Sequence, residues 1–392
     1  MQSAICIVLG GLLLAASGFK STGWRAASVT AALAAFLALS FALPFPARAF
    51  TMGDGSSIVQ DRSNFTDIVH YGRQIKFSAH LAYNLLDRID AALGATATSP
   101  LEAYRALSWL MGAFVALCVW VFAATDGWSP RSVRYAGLAL LAPATLMYFG
   151  YLEVGYLSLS AAAFPFIARD VLKRDDLTGG MLVGALLFGL GAALHGVGYL
   201  SIAAIAFAIL LFDFPIARRI VLATTLGAAA TGAALIWLWY YLAVMGYDVT
   251  PGHASNGFMI RPLLQQRIAE TRIVYPLLSG VGARDIFFSG LVAGLPIVLV
   301  VLWNWKHWRR EARLALAFAV PCLLAFALFW PPQGIAIEMD MIVALFPAVY
   351  ALLWVCSQSL RASIVSAVLL AAGQAAFWYV VYGDQFINPM LR

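Results

Sequence analysis

Long apolar runs, each closed by a few charged or turn-forming residues, make up most of the chain. A membrane-crossing helix needs roughly 20 mostly apolar residues, somewhat fewer where its ends are anchored at the interface. By that measure about twelve segments qualify. Their cores are Ser3–Gly18, Ala26–Pro46, Tyr104–Ala124, Tyr135–Gly150, Val154–Ala168, Gly180–His195, Val197–Asp213, Ile220–Gly246, Ile286–Trp303, Leu314–Trp330, Met341–Cys356 and Ser363–Tyr382. The runs around Glu153 and His195 are each joined to a neighbour by only a few residues, so either pair reads equally as one broken helix. Met1–Gly18 lacks the basic start and the cleavage site of a signal peptide, and a second apolar run follows within a few residues. We expect a retained helix there.

The connections between the runs are of two kinds. One set is short and carries Lys20, Arg25, Arg131, Arg134, Arg169, Lys173, Arg174, Arg218, Arg219, Lys306, Arg309, Arg310, Arg313 and Arg361, fourteen of the 25 basic residues. Short basic loops mark the cytoplasmic side, and long loops obey that rule only weakly. The two long connections, residues 47–103 and 247–285, are therefore expected to face outward together with both chain ends. Ile75–Leu93 places Ala79, Ala82, Leu85, Leu86, Ile89 and Leu93 on one helical face, with Lys76, His80, Asn84 and Arg88 on the other. This is the pattern of an amphipathic helix lying in the membrane interface. Ile260–Tyr275 repeats it more weakly.

Composition agrees with the pattern. With 62% hydrophobic and 11% charged residues, and a mean hydropathy of +0.84, the chain has more apolar surface than one soluble globule of 392 residues can hide. The net charge of +6 lies largely in the short connections and gives no reason to expect nucleic-acid binding. Cys6, Cys118, Cys322 and Cys356 are far apart and show no Cys-x-x-Cys spacing, so neither a disulfide framework nor a metal site is indicated. The expected fold is an all-α polytopic membrane protein of about twelve helices with two amphipathic outer loops, filling 1–392 as a single membrane domain.

Few polar residues could carry chemistry in such a chain. Asp54, in Met52-Gly-Asp-Gly-Ser-Ser, follows the second apolar run and its two prolines. A carboxylate at the membrane surface can deprotonate a hydroxyl nucleophile, whereas Asp-Gly is also a common turn dipeptide. Glu153 stands in an otherwise apolar stretch on the same expected side. An acid at membrane depth costs several kcal/mol unless it lines a polar cavity or has a partner. It is either functional or a hydrogen-bonded pin between helices. His195, between Leu194 and Gly196, is a packing residue or a point where a phosphate or sugar approaches glycine-rich backbone. His253, Arg261, Arg267 and Arg272 form an outer basic set, suited to a phosphate or to lipid headgroups. Glu338 and Asp340 contact an acceptor or simply end their loop, and His80 is the histidine on the polar face of the first outer loop.

An acid in a first outer loop, interfacial helices in that loop and a second acid in the next outer loop together resemble the GT-C superfamily of polytopic glycosyltransferases. Gly53-Asp-Gly, Tyr104-Arg-Ala-Leu-Ser-Trp-Leu-Met-Gly, Phe149-Gly-Tyr-Leu-Glu, the helix-borne His195 and Gly334…Met339-Asp-Met are similar to a bacterial branch of it. The resemblance implies an inverting transferase that takes sugar from a polyprenyl-phosphate donor on the outer face of the cytoplasmic membrane. Asp54 and Glu153 correspond to its two catalytic acids. Donor phosphate would meet Arg261, Arg267, Arg272, His253 and His195; a lipid or glycan acceptor would meet Glu338, Asp340 and His80. No cofactor is implied, although a divalent ion at Asp54 and Glu153 is compatible with that pair. The family core begins at the helix entering the first outer loop, so residues 1–20 would be an added helix.

A secondary transporter or lipid flippase with Glu153 and His195 as proton-coupling groups is the competing class. Such carriers usually show related halves with broken helices at matching positions, and no such symmetry is visible here. A non-catalytic scaffold would leave Asp54 and Glu153 without a role.

Overall fold

A computed structural model describes residues 1–43, 100–149, 166, 179–194, 202–203, 206–207, 215–239, 287, 290–328 and 346–382. Every regular element among them is helical. In chain order they are α1 (Gln2–Ala16), α2 (Thr22–Ala42), α3 (Pro100–Thr125), α4 (Pro130–Leu141), a 3-10 helix (Pro143–Phe149), α5 (Gly179–Leu194) and α6 (Ile216–Trp239). A 3-10 turn (Leu295–Ile297) then leads into α7 (Val298–Trp303), followed by α8 (Arg309–Leu328), α9 (Phe346–Cys356) and α10 (Leu360–Tyr382). The runs Val154–Ala168 and Val197–Asp213 and the two amphipathic segments, Ile75–Leu93 and Ile260–Tyr275, lie wholly or almost wholly outside the described residues.

Local chemistry sets the helix ends. Ser21 caps α2 by accepting from the Trp24 N–H at 3.4 Å, and Ser129 caps α4 by accepting from the Ser132 N–H at 3.1 Å, with Pro130 in the first turn where its missing N–H costs nothing. The end of α3 is a Schellman turn. Gly127 has φ +67°, the Trp128 N–H reaches Ala123 O at 2.8 Å, and the Gly127 N–H reaches Ala124 O at 3.0 Å. The hydroxyl of Ser129 donates back to the Asp126 carboxylate, closing the short connection that turns α3 into α4.

α4 lies at the centre. From Tyr135 to Leu141 it is buried throughout, packed by α1, α10, α3 and α9. α9 is buried from Ala348 to Cys356. α1 packs against α4 as a layer of the bundle: Gly10 crosses Gly137 so closely that a Cβ on Gly10 would lie 2.8 Å from the Gly137 carbonyl oxygen. Small residues at a crossing let two backbones approach. Gly11, one position along, has nothing within 4 Å of its would-be Cβ. Gly11→Ala should therefore raise stability by about 0.5–1 kcal/mol, the helical preference of alanine over glycine. Gly10→Ala should lower it by about 1–3 kcal/mol through overpacking. Thermal melting of the two purified variants beside the parent checks the pair, and equal shifts would remove the crossing from the account.

Two expected straight spans are broken. The run Tyr135–Gly150 ends as α-helix at Leu141 and continues as 3-10 helix, because Pro143 supplies no N–H for the Ala139 carbonyl. The structure repairs the loss: the Thr145 hydroxyl donates to Ala139 O at 2.6 Å, and the amide of the buried Gln374 on α10 donates to Leu141 O at 2.9 Å. The run Ile286–Trp303 breaks at Gly294, whose φ of +80° suits glycine, and passes through a 3-10 turn containing Pro296 before α7. The breaks meet. A Cβ on Gly294 would face Leu370 at 2.9 Å and Pro143 at 3.7 Å, and one on Gly373 would strike both the Leu291 carbonyl and Pro143.

α2 and α10 are each long and apolar enough to cross a membrane. In their most apolar stretches 28% and 44% of residues are buried inside the protein, and exposed apolar side chains run along each, Trp24 and Phe41 on α2 and Leu360, Ile364 and Val368 on α10. Exposed apolar rows also run along other helices, with Ile7, Val8 and Leu12 on α1 and Ile220, Leu235 and Ile236 on α6.

Candidate functional site

The residues singled out from sequence are Asp54, His80, Glu153, His195, His253, Arg261, Arg267, Arg272, Glu338 and Asp340, and all ten lie outside the described residues. What the structure fixes is the scaffold from which their segments depart. Residues 44–99 follow Leu43 and rejoin at Pro100. The 3-10 helix is described to Phe149, four positions before Glu153, and α5 to Leu194, immediately before His195. The segment holding Glu338 and Asp340 joins α8 to α9.

Side-chain contacts sort the helix termini into two ends. The Gln2 amide donates to Leu43 O at 3.0 Å, and the Trp378 indole N–H donates to the Ser3 hydroxyl. Trp109 Nε1 donates to Leu37 O at 3.0 Å, and its ring meets Phe41 edge-on at 5.6 Å. The start of α1, the end of α2, the first part of α3 and the last part of α10 thus share one end. Residues 44–99 leave and return there.

The opposite end is basic. Arg131 and Arg134 stand one turn apart at the start of α4 and grip the end of α9. Arg131 Nη2 donates to Trp354 O at 3.2 Å while its guanidinium carbon sits 3.9 Å from the centre of the Trp354 ring. Arg134 donates from Nε to Ser357 O at 2.7 Å and from Nη2 to Gln358 O at 3.0 Å. The last carbonyls of a helix lack intrahelical partners and carry partial negative charge, so two guanidinium groups satisfy both needs. Burial pulls Arg131 down to about 10, with Glu311 and then Asp126 acting to raise it; burial also lowers Arg134. On the same side Arg361 lies over the Trp303 ring, 5.1 Å from its centre.

The clamp has a positional consequence. α4 runs through the 3-10 helix toward Glu153, and α9 is entered from the segment carrying Glu338 and Asp340. Arg131 and Arg134 therefore fix relative to one another two helices that border separate candidate segments. Sequence reasoning read these arginines only as loop charges. Their spacing of three at a helix start was the available signal, but an acceptor more than 220 positions away leaves no local trace. Gln374, equally unremarked, was detectable as an amide inside an apolar run.

Among the described residues no group of three or more His, Cys, Asp or Glu side chains could hold a metal ion, and Cys6, Cys118 and Cys356 are buried free thiols. No protein-family model, curated protein or solved structure matches the chain.

Proposed function

We propose that the chain is an inverting membrane glycosyltransferase that moves a sugar from a polyprenyl-phosphate donor to a lipid or glycan acceptor on the outer face of the cytoplasmic membrane. The observation that carries this reading is the separation of the two ends of the bundle. Both junctions of the Asp54 segment, at Leu43 and Pro100, belong to the end opposite Arg131, Arg134 and Arg361. Basic short loops face the cytoplasm, so Asp54 belongs to the far side. Nucleotide sugars are made and kept in the cytoplasm; a donor used outside must be carried there on a lipid. The exposed apolar positions of α2 and α10, the two helices among the described residues long and apolar enough to cross a membrane, suit a bilayer around such a site.

In this mechanism Asp54 takes the proton of the acceptor hydroxyl. The hydroxyl oxygen bonds to the anomeric carbon as the carbon–oxygen bond to phosphate breaks on the opposite face, inverting the configuration. Glu153 is the second catalytic acid. Arg261, Arg267 and Arg272, with His253 and His195, offset the charge growing on the departing phosphate, and Glu338, Asp340 and His80 contact the acceptor.

Transfer from a panel of radiolabelled polyprenyl-phosphate sugars in membranes, with the product identified by mass, is the direct test. Sidedness is checked separately in a chain whose four cysteines have been replaced. New cysteines at Ser56 and Ser255 should react with an impermeant maleimide in intact cells, and one at Ser129 should not. The reverse pattern would put Asp54 beside nucleotide sugars, and the argument for a lipid-linked donor would fall.

A further inference from the structure

We infer that the surface around Trp303 and Arg361 is a binding site for an anionic phospholipid of the cytoplasmic leaflet, headgroup on the arginine and acyl chain along α7 and α10. This rests on the membrane-embedded reading and not on the glycosyl-transfer chemistry. Arg361 and Trp303 are both exposed, and the guanidinium carbon lies over the indole, 5.1 Å from its centre. The cation–π contact localises the arginine at the surface, where its forked N–H groups suit a phosphate in two-pronged contact.

The chain that follows Trp303 is also basic. The Asn304 amide donates to Val300 O at 2.8 Å, and the N–H groups of His307 and Trp308 return to Asn304 O at 2.9 and 3.0 Å, so a tight turn ends α7. Trp308 is buried and anchors the turn, which leaves Lys306 exposed, followed by exposed Arg309 and Arg313 spaced four apart on α8. The acid Asp126 is engaged by the Ser129 hydroxyl in the connection between α3 and α4.

Away from this charged level the surface is apolar. Leu299 and Leu302 precede Trp303 on α7 and are 62% and 50% exposed; Ile364 and Val368 follow Arg361 along α10 at 51% and 66%. A row of apolar side chains beneath a cluster of cations, with tryptophan at the boundary, matches the layering of one phospholipid. A soluble anion would use the cations and leave the apolar rows uncovered. A zwitterionic lipid would use the rows and leave the excess charge unmatched.

The test uses the purified full chain in mild detergent, titrated with phosphatidylglycerol, phosphatidylcholine or inorganic phosphate while melting is followed. Phosphatidylglycerol should raise the melting temperature with a half-saturating concentration at least about ten-fold below that of phosphatidylcholine, as several cations at a membrane surface allow. Phosphate should do nothing. The double variant Trp303→Leu/Arg361→Gln should weaken the phosphatidylglycerol response about ten-fold, and Lys20→Gln/Arg25→Gln, changes in the loop and helix start near α1 and α2, should leave it unchanged. If the first double variant does not fold, Arg361→Lys serves in its place and should lose part of the response, since lysine keeps the charge without the fork. Equal responses to both lipids, a response to phosphate alone, an unchanged response in the Trp303 and Arg361 variants, or equal loss in the Lys20 and Arg25 variant would each overturn the site.

Discussion

Asp54→Asn abolishes sugar transfer while yield and melting in detergent stay near those of the parent, if the carboxylate removes the acceptor proton. The substitution keeps size and shape and takes away only the basic oxygen. A positioned general base contributes roughly 10²–10⁴-fold to rate, so the variant should retain no more than about a hundredth of the parent activity. The measurement is initial rate with a donor that the parent uses, at saturating acceptor. A variant that keeps more than about a tenth of the rate excludes Asp54 as base and favours the alternative in which Asp-Gly is only a turn.

Gly373→Val produces the largest structural effect among the described residues. The would-be Cβ strikes the Leu291 carbonyl oxygen, and Pro143 lies 2.8 Å away on another side. Neither neighbour can rotate aside as a flexible side chain does, because one is backbone and the other is a ring bonded back to it. Overpacking a core ordinarily costs about 1–3 kcal/mol, and a collision with fixed backbone belongs at or beyond the upper limit. We expect little folded protein and early elution in the void volume of a sizing column. Gly227→Val is the matched control, on a helix where the corresponding position has nothing within 4 Å, and should purify normally. If the Gly373 variant purifies and melts like its control, the junction of the two broken spans is not holding the helices together.

The helices were legible because a long apolar run closed by charge admits few other secondary structures. α2 and α10 cover Ala26–Pro46 and Ser363–Tyr382 to within a few residues at each end. Helices begin earlier than their apolar cores wherever the flank is itself helical: α8 starts at Arg309, five residues before Leu314, and α4 at Pro130, five before Tyr135. The breaks at Pro143 and Gly294 were missed for a different reason. Hydrophobicity records where a segment sits, whereas a break depends on whether a neighbour such as Gln374 or Thr145 replaces the lost hydrogen bond. Candidate chemistry was readable only as rare polar residues in apolar surroundings. Asp54 and Glu153 stand out on that ground, but every residue so chosen lies outside the described residues, and the scaffold constrains only the ends to which their segments attach.

The clamp of Arg131 and Arg134 on the end of α9 also bears on the order in which the protein is made. The donors are translated more than 220 residues before their acceptors. Until Ser357 and Gln358 emerge, the two arginines at the start of the central helix lack these carbonyl acceptors, and the opposite end waits still longer, since Ser3 meets Trp378 only near the finish. Early helices must therefore wait with their seats for α9 and α10 open. A ribosome-bound chain stopped before Gln358 should expose α4 to proteolysis, and arrival of the last two helices closes the packing around it.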